Sequence, residues 1–310
     1  MSELETFVPR VAAGGRLRFT ETESGGFGSG THARPGDAAG NGPAPAPQAP
    51  ASAGRIEMSS VSIGFQGRDG RSTRAIEGID LVIEPGQFAA LIGPSGCGKS
   101  TLLNAVAGFV APLSGAITVD AMPIVKPIPS VGVVFQNFAL FPWLTALSNV
   151  EFPLKQFGLA RGERRERALA ALAEVGLAGH AAKYPGQLSG GMKQRVAIAR
   201  TLVSSPSVLL MDEPFGALDA QTRLSMQGLL LGLWEKRQSS VLFVTHDVDE
   251  ALILADVIYI MSAGPGRIVR RINVDTPRPR SVDRLDASFL DRRAEIIALL
   301  REQSPSSQLS

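Results

Sequence analysis

The sequence predicts an α/β domain with a mainly parallel sheet and a helical insertion. Short β-rich runs alternate with segments of helical periodicity, and these runs are residues 79–83, 88–92, 131–135, 208–211 and 241–245. Between residues 148 and 184 such runs are absent, and apolar residues recur at helical spacing, as with Leu169, Leu172 and Val175. The alternation predicts the sheet, and its interruption predicts the insertion.

Residues 1–54 are predicted to form a flexible extension. They are rich in Gly, Ala and Pro and carry almost no periodic apolar pattern, so they cannot bury enough surface to become ordered. A transit peptide is the competing interpretation, but such peptides are poor in acidic residues. The acidic residues that argue against it are Glu3, Glu5, Glu21 and Glu23.

Residues 276–310 are predicted to form a small helical appendage. Pro277 and Pro279 lie at the start of this segment, where proline does not continue a helix. The apolar residues that follow fit one or two amphipathic helices, and they are Leu285, Phe289, Leu290, Ile296, Ile297 and Leu300. The sequence contains no internal repeat, so residues 55–275 are predicted to form one core domain per chain.

Composition narrows the class of protein. The 310 residues include 31 Lys and Arg against 29 Asp and Glu, with no long basic run, which disfavours a dedicated nucleic-acid binder. The single cysteine, Cys97, cannot form an internal disulfide, and the first residues lack the pattern of a secretory signal. We therefore expect a reducing, cytosolic compartment. No stretch reaches about 18 uncharged apolar residues, so we expect another chain to cross any membrane at which this protein acts.

Residues 93–101 fit the phosphate-loop pattern, and they lie between a predicted strand and a predicted helix. The glycines allow successive N–H groups to point inward, and the helix that begins near Gly98 adds the positive end of its dipole. Lys99 would reach the β and γ phosphates and Ser100 would bind Mg²⁺, whereas the alternative is a glycine-rich turn without a ligand. The loop consists of Gly93, Pro94, Ser95, Gly96, Cys97, Gly98, Lys99, Ser100 and Thr101.

Two acids, Asp212 and Glu213, end the apolar run 208–211. Open α/β sheets bind ligands at the carboxyl ends of their strands, so this is where a metal and a water would be held. Asp212 is the natural partner of Mg²⁺, and Glu213 is placed to orient and deprotonate the attacking water. A solvated edge or a helix cap is the usual alternative for such a pair, and the phosphate loop upstream favours the functional interpretation.

His246 follows the apolar run 241–244 and therefore lies at the same predicted sheet edge. A lone histidine is usually a surface residue or a satisfied core residue. We interpret His32 and His180 in that way, and position alone distinguishes His246.

Residues 188–195, which read LSGGMKQR, resemble the signature motif of ABC ATPases. The hydroxyl of Ser189, the N–H groups of Gly190 and Gly191 and a helix N-terminus can bind a second face of a nucleotide. In that family, the second face belongs to the opposite protomer. Met192 departs from the glutamine that many members carry, and a thioether cannot replace its polar contacts.

Further residues resemble the other ABC motifs in the same order, over residues 55–270. The resemblance implies that Gln136 senses the metal and the water, that Asp219 communicates across the dimer and that His246 contacts the γ phosphate. It also implies a P-loop NTPase core with an antiparallel β subdomain, a helical subdomain at about 137–195, and ATP and Mg²⁺ as cofactors. Phe65 falls where the family stacks an aromatic ring on adenine, although a core phenylalanine is the alternative.

The segments VVFQNFALFPW, DEPFGALDA and SAGPGRIV resemble the branch that serves taurine, alkanesulfonate, nitrate or bicarbonate import. The resemblance implies a homodimer at the cytoplasmic face of the inner membrane, peripheral to it. It further implies transmembrane permease subunits, a periplasmic or extracellular binding protein and no nucleic-acid partner. Phe138, Leu140, Phe141, Pro142 and Trp143 are candidate docking residues, with core packing as the alternative. A soluble ABC protein that acts on DNA or ribosomes, and an exporter subunit, remain alternative functions.

Overall fold

The computed structural model describes residues 54–66, 72–280 and 287–303. The predicted extension, residues 1–54, lies outside this part of the chain except for Gly54. The strands are β1 (Ile56–Gln66), β2 (Ser72–Ile83), β3 (Phe88–Ile92), β4 (Ser114–Val119), β5 (Met122–Pro123), β6 (Val131–Val134), β7 (Val208–Asp212), β8 (Ser240–Val244), β9 (Val257–Met261) and β10 (Ile268–Asn273). The α-helices are α1 (Lys99–Val106), α2 (Ala146–Glu151), α3 (Arg161–Glu174), α4 (Gly190–Leu202), α5 (Ala220–Arg237), α6 (Val248–Leu254) and α7 (Ala287–Glu302).

A six-stranded sheet in the order β10-β9-β3-β8-β7-β6 forms the centre of the domain. Its neighbours from β9 to β6 are parallel, and β10 is antiparallel to β9. Strands β3, β8 and β9 are buried along their whole length. A parallel sheet with both faces covered requires such continuous apolar strands, so the predicted α/β class is confirmed.

Alternate residues of β3 enter two different hydrophobic cores, as the two-residue period of a strand requires. Phe88, Ala90 and Ile92 pack in a core with the helices that follow β6. Ala89 and Leu91 pack in the other core, with α1 and the second sheet. The strand that precedes the phosphate loop is therefore fixed from both sides.

The second sheet is antiparallel, with four strands in the order β2-β1-β4-β5. Residues 79–83, which were grouped with the runs that predict the parallel sheet, belong to β2 in this sheet. Their burial explains the difference, because Ile79 and Leu81 are buried while Asp80 is exposed. Such alternation is typical of an antiparallel sheet with one face in water.

Helices α2, α3 and α4 follow β6 and pack on one another, and α4 also packs on β6. This arrangement agrees with the predicted helical insertion, although α4 extends to Leu202, beyond residue 195. After β10, Arg280 donates hydrogen bonds to four carbonyl oxygens, among them those of Leu252 and Ala255 at the end of α6. The last described helix is α7, which buries Phe289 and Ile296. Within the described residues, no helix has the length and apolar character needed to span a membrane.

Candidate functional site

The phosphate loop connects β3 to α1 at the carboxyl end of the central sheet. Gly98 is the N-cap of α1 at φ 100°, and no side chain caps the helix there. A Cβ atom at Gly98 would lie 2.9 Å from Cγ1 of Ile76 on β2, so glycine is required both by the backbone and by the neighbouring sheet. The first N–H groups of α1 therefore remain uncapped by side chains, as an anion site requires.

The Lys99 side chain folds back over the phosphate loop. Its Nζ donates hydrogen bonds to the carbonyl oxygens of Gly93, at 2.9 Å, and Pro94, at 3.0 Å. Lys99 is only 7% exposed, so these bonds satisfy an ammonium group that has little contact with water. The positive charge lies inside the loop.

Asp212 lies at the end of β7, directly beside the phosphate loop. The Ser100 hydroxyl donates a hydrogen bond to Oδ1 of Asp212 over 3.0 Å. Burial raises the pKa of the Asp212 carboxyl and the charge on Glu213 raises it further, while the hydrogen bond from Ser100 acts in the opposite direction. The structure thus brings together the hydroxyl and the carboxylate that the sequence predicts to share a cation.

Glu213 presents its carboxylate to two side chains from other strand ends. Nε2 of Gln136 donates to Oε2 of Glu213 over 3.3 Å, and Nδ1 of His246 lies 3.2 Å from the same oxygen. Glu213 adopts a left-handed backbone conformation, at φ 42°, and its N–H donates to the carbonyl of Val244. A non-glycine residue in this conformation is held there by its surroundings, as is common at functional sites.

His246 itself is exposed, but hydrogen bonds of its neighbours Thr245 and Asp247 hold the turn that carries it. The buried Thr245 hydroxyl donates to Oε2 of Glu250 over 2.6 Å and accepts from the N–H of Asp247. Asp247 caps α6 by accepting from the N–H groups of Asp249 and Glu250. These hydrogen bonds hold the turn so that the imidazole lies beside Glu213 and remains exposed.

Ser189 is the N-cap of α4, and its Oγ accepts a hydrogen bond from the N–H of Met192. The neighbouring glycines face the start of α5, where Asp219 caps the helix through the N–H of Thr222. A Cβ atom at Gly191 would lie 2.6 Å from Cγ2 of Thr222. The hydrogen bonds found for these residues join them to their own helices, and none reaches residues 93–101.

Phe65 and Met192 differ in their surroundings. Phe65 on β1 is 50% exposed, so its ring does not belong to the buried core and the core alternative is wrong. Met192 is partly buried and packs against the core of the helical insertion. At that position the thioether contributes apolar contact, where a glutamine would offer hydrogen bonds.

Sequence reasoning missed Glu250, which is buried and anchors the His246 turn, and Arg223 on α5. The guanidinium of Arg223 donates to Oδ2 of Asp247 over 3.3 Å and lies 3.7 Å from Oε1 of Glu250. A local signal for Glu250 existed, because Asp247 and Glu250 have the spacing of a helix-capping pair. Arg223 had no comparable signal, since Asp247, the nearer in sequence of the two acids that it contacts, lies 24 residues away.

Known proteins resemble the chain over most of its length. Residues 76–216 match the family model described as ABC transporter. A taurine import ATP-binding protein TauB of Chromobacterium violaceum is 49% identical over 235 residues, which are 74% of this chain and 90% of the relative. The TauB protein of Yersinia pestis is 42% identical over 254 residues, covering 80% of this chain and 98% of the relative.

A solved structure has the same fold. A dimeric, post-hydrolysis state of the ATP-binding cassette MJ0796, bound to ADP and Pi, superposes with a TM-score of 0.64. It is 33% identical in sequence, and the match covers 72% of this chain and all of that chain. The class that fold and site define is an ATP-binding cassette ATPase. The chain belongs to the ABC transporter ATP-binding family, so it binds and hydrolyses ATP.

Proposed function

We propose that this chain is the ATPase subunit of a membrane importer for a small oxyanion, with taurine or another alkanesulfonate first and nitrate next among the candidates. The observation that carries the proposal is the 49% identity to a taurine import ATP-binding protein, over 90% of that protein. The family model matches residues 76–216, which include the phosphate loop and the acidic pair. They also include the signature turn, which is defined as Ser189, Gly190 and Gly191. An import role for this chain rests on that likeness.

ATP binds on the phosphate loop, with its phosphates at the uncapped start of α1. The ammonium of Lys99, which bonds to Gly93 and Pro94, exchanges these carbonyl oxygens for β- and γ-phosphate oxygens. Both sets of partners accept from the same donor, and the phosphates carry full charge, so the exchange favours bound nucleotide. Phe65 offers an exposed ring on β1 on which the adenine can stack.

The residues at the end of β7 fit a Mg²⁺ ion that accompanies the nucleotide. Ser100 and Asp212 already place their oxygen atoms 3.0 Å apart, and Gln136 supplies a third polar side chain at the same edge. Within the described residues, no cluster of three or more His, Cys, Asp or Glu side chains could hold a metal alone. Mg²⁺ is usually bound by one or two carboxylates together with phosphate oxygens and waters, which suits this set. When bound, the ion would neutralise phosphate charge.

Glu213 is the general base that accepts a proton from the attacking water. Gln136 and His246 both contact Oε2 of Glu213, and they thereby fix the direction of its carboxylate. Proton acceptance by a positioned carboxylate contributes about 10²- to 10⁴-fold in rate. His246, which is exposed, is free to contact the γ phosphate from the side of the sheet edge.

Two copies of the chain close around two ATP molecules in the proposed mechanism. Each nucleotide lies between the phosphate loop of one protomer and the signature turn of the other, and Asp219 lies at the contact between protomers. The solved relative MJ0796 is a dimer, which supports this arrangement. Because nucleotide contacts differ between the open and closed dimer, ATP binding and hydrolysis can shift the equilibrium between them.

The permease docks in a groove beside the edge strand β6. A cavity of about 680 Å³ lies there, lined by Phe109, Phe135, Phe141, Phe152 and Arg200 among others. None of the five candidate docking residues is buried, and Trp143 is 71% exposed. Core packing accounts in part for Leu140, which packs against the core, but not for Trp143. Arg200 donates to the carbonyl oxygens of Phe138 and Ala139, which ties the groove to the segment after Gln136.

In this proposed assembly the chain lies at the cytoplasmic face of the inner membrane as a peripheral subunit, and a substrate-binding protein lies on the other side.

A gene deletion tests which substrate is imported. We expect loss of growth on taurine or alkanesulfonate as sole sulfur source, or on nitrate as sole nitrogen source. The wild-type gene restores growth, and the Glu213→Gln gene, expressed equally, does not. Normal growth of the deletion strain on all three sources would refute the oxyanion assignment.

A further inference from the structure

Three turns that begin α4, α5 and α6 are joined by side chains within one protomer. The signature turn lies against the first turn of α5, because Gly191 approaches Thr222 so closely that a Cβ atom would not fit. Arg195 on α4 also donates to Oγ of Ser225 on α5 over 3.1 Å. Thr222 in turn bonds to Asp219 through both its N–H and its hydroxyl. The signature turn and the Asp219 turn therefore form one packed unit.

Arg223 continues this connection to the turn that carries His246. Its Nη2 donates to the carbonyl oxygen of Leu218, the residue before Asp219, over 3.3 Å. Its Nη1 donates to Asp247, and its Nε lies 3.7 Å from the carboxylate of Glu250. One planar guanidinium thus contacts the Asp219 turn and the carboxylates of Asp247 and Glu250. A lysine, with a single point charge, cannot make all three contacts.

The acids that Arg223 contacts are the ones that fix the His246 turn. Glu250 accepts from Thr245 over 2.6 Å, and the side chain of Glu250 is only 6% exposed. Asp247 follows His246 directly and caps α6. A displacement of Arg223 would therefore change the support of His246, which lies 3.2 Å from Glu213.

We propose that Arg223 is a positioning residue that couples the two ATP sites of the dimer through the interior of each protomer. One end of the link is the signature turn, which faces the nucleotide bound by the partner subunit. The other end is His246, which faces the nucleotide bound by the same chain. The inference rests on the proposed homodimer, and what it adds is the intrachain path from α4 through Arg223 to His246.

The test compares Arg223→Met with Arg293→Met in the purified full-length chain. Arg293 on α7 is a matched control, because it also bonds to an acid of α6, Asp249, but touches neither Glu250 nor Asp247 in the described hydrogen bonds. We expect Arg223→Met to lower kcat and to weaken the coupling of ATP affinity between the two sites by about 5- to 150-fold, the range of a coupling free energy. The Hill coefficient for ATP should fall toward 1, while the ATP affinity of the monomer stays within about twofold, since no phosphate-loop contact changes.

Arg223→Lys provides the conservative comparison. It should recover part of kcat but little of the Hill coefficient, because lysine keeps the charge and loses the fork that spans two turns. Wild-type kcat and Hill coefficient in Arg223→Met would overturn the inference. A loss of kcat that merely follows the folded fraction, or that Arg293→Met shares, would overturn it as well.

A separate measurement distinguishes this inference from the proposed function. The Glu213→Gln chain, with Arg223 intact, is mixed with ATP and its mass is measured by light scattering. A dimer supports the proposed function, and the Arg223 variants then test the coupling alone. If ATP produces no dimer, the two-site arrangement itself fails, and the inference fails with it.

Discussion

Two glycine-rich turns of this chain each begin a helix, the phosphate loop at α1 and the signature turn at α4. Their surroundings differ. The phosphate loop contains the buried ammonium of Lys99 and adjoins Asp212, which bonds to Ser100. In the signature turn, Oγ of Ser189 accepts from the N–H of Met192, the third residue of α4, and the two glycines face the start of α5.

The difference agrees with the proposal that the two turns bind different nucleotides of the dimer. The phosphate loop contains the ammonium group of Lys99 and lies beside the carboxylate of Asp212. These are groups that phosphoryl transfer requires. The signature turn offers a hydroxyl, N–H groups and a helix N-terminus, but within the described part of the chain no hydrogen bond connects it with Asp212 or Glu213. Under the proposed mechanism it is a half-site, and another copy of the chain supplies the complement.

The largest effect that this comparison predicts is at Glu213. Glu213→Gln should lower kcat by about 10²- to 10⁴-fold, because the amide cannot accept the proton of the attacking water. ATP affinity should be retained, since Lys99 and the start of α1 are unchanged. Steady-state phosphate release and equilibrium ATP binding measure the two quantities, and full ATPase activity in the variant would remove Glu213 from the base role.

The second prediction compares a variant of the phosphate loop with a variant of the signature turn, in ATP binding and in ATP turnover. Lys99→Ala should weaken ATP binding by about 10- to 100-fold, the loss expected for charge-assisted hydrogen bonds of 1.5–3 kcal/mol. Ser189→Asp should keep the cap of α4, because aspartate caps as well as serine, and it should place a repelling charge opposite the partner's nucleotide. The Asp variant should therefore bind ATP as a monomer with nearly unchanged affinity but lose turnover.

Calorimetric titration at low protein concentration measures the affinity of the monomer, and the thermal midpoint checks the fold. The melting temperature of Ser189→Asp should stay close to that of the wild type. If Ser189→Asp weakens monomer binding as much as Lys99→Ala does, the two turns contact the same nucleotide and the comparison is wrong.

Much of the phosphate loop and the acidic pair could be predicted from sequence, since their chemistry depends on local spacing after an apolar strand. Residues 93–101 and Asp212 carry that spacing in the sequence itself. The Lys99 bonds to Gly93 and Pro94 could not be predicted, because loop carbonyls have no sequence signature. Residues 79–83 were placed in the wrong kind of sheet, since a short apolar run does not reveal its partners. Arg223 was missed because its contacts join helices that tertiary packing alone brings together.

The third prediction concerns the adjacent glycines of the signature turn. A Cβ atom at Gly190 would lie 3.7 Å from Cδ2 of Leu218, an ordinary contact, whereas at Gly191 it would lie 2.6 Å from Cγ2 of Thr222. Gly191→Ala should therefore destabilise the fold by about 1–3 kcal/mol, the usual cost of overpacking. Gly190→Ala should keep the thermal midpoint and lose ATPase activity, because under the proposed mechanism the N–H groups of the signature turn approach the partner's nucleotide and an added methyl group would obstruct that approach.

Denaturant unfolding measures the two stabilities, and phosphate release measures activity. Equal stability of the two alanine variants would mean that α4 and α5 can move apart at no cost. It would also weaken the path from the signature turn to Arg223.

The smallest predicted effect is at Asp212, and its sign depends on pH and ligand. Burial raises the pKa of this carboxyl above its ordinary value, so the ionised form is disfavoured in the fold without Mg²⁺. The resulting destabilisation is present above the folded-state pKa and disappears as pH falls below the ordinary value of aspartate. In EDTA at pH 8, Asp212→Asn should melt higher than the wild type, by about 2–4 °C for each 1 kcal/mol relieved.

The gain should shrink as the pH is lowered toward 4, where the wild-type carboxyl is also neutral. With Mg²⁺ and ATP the order should reverse, because only the wild type retains the carboxylate that helps to bind the cation, and bound ligand stabilises the fold. Melting curves over pH, with and without Mg²⁺ and ATP, test both statements. If Asp212→Asn melts lower than the wild type in EDTA at pH 8, the Ser100 hydrogen bond outweighs the cost of burial. The carboxylate would then stabilise the phosphate-loop edge even before a nucleotide arrives.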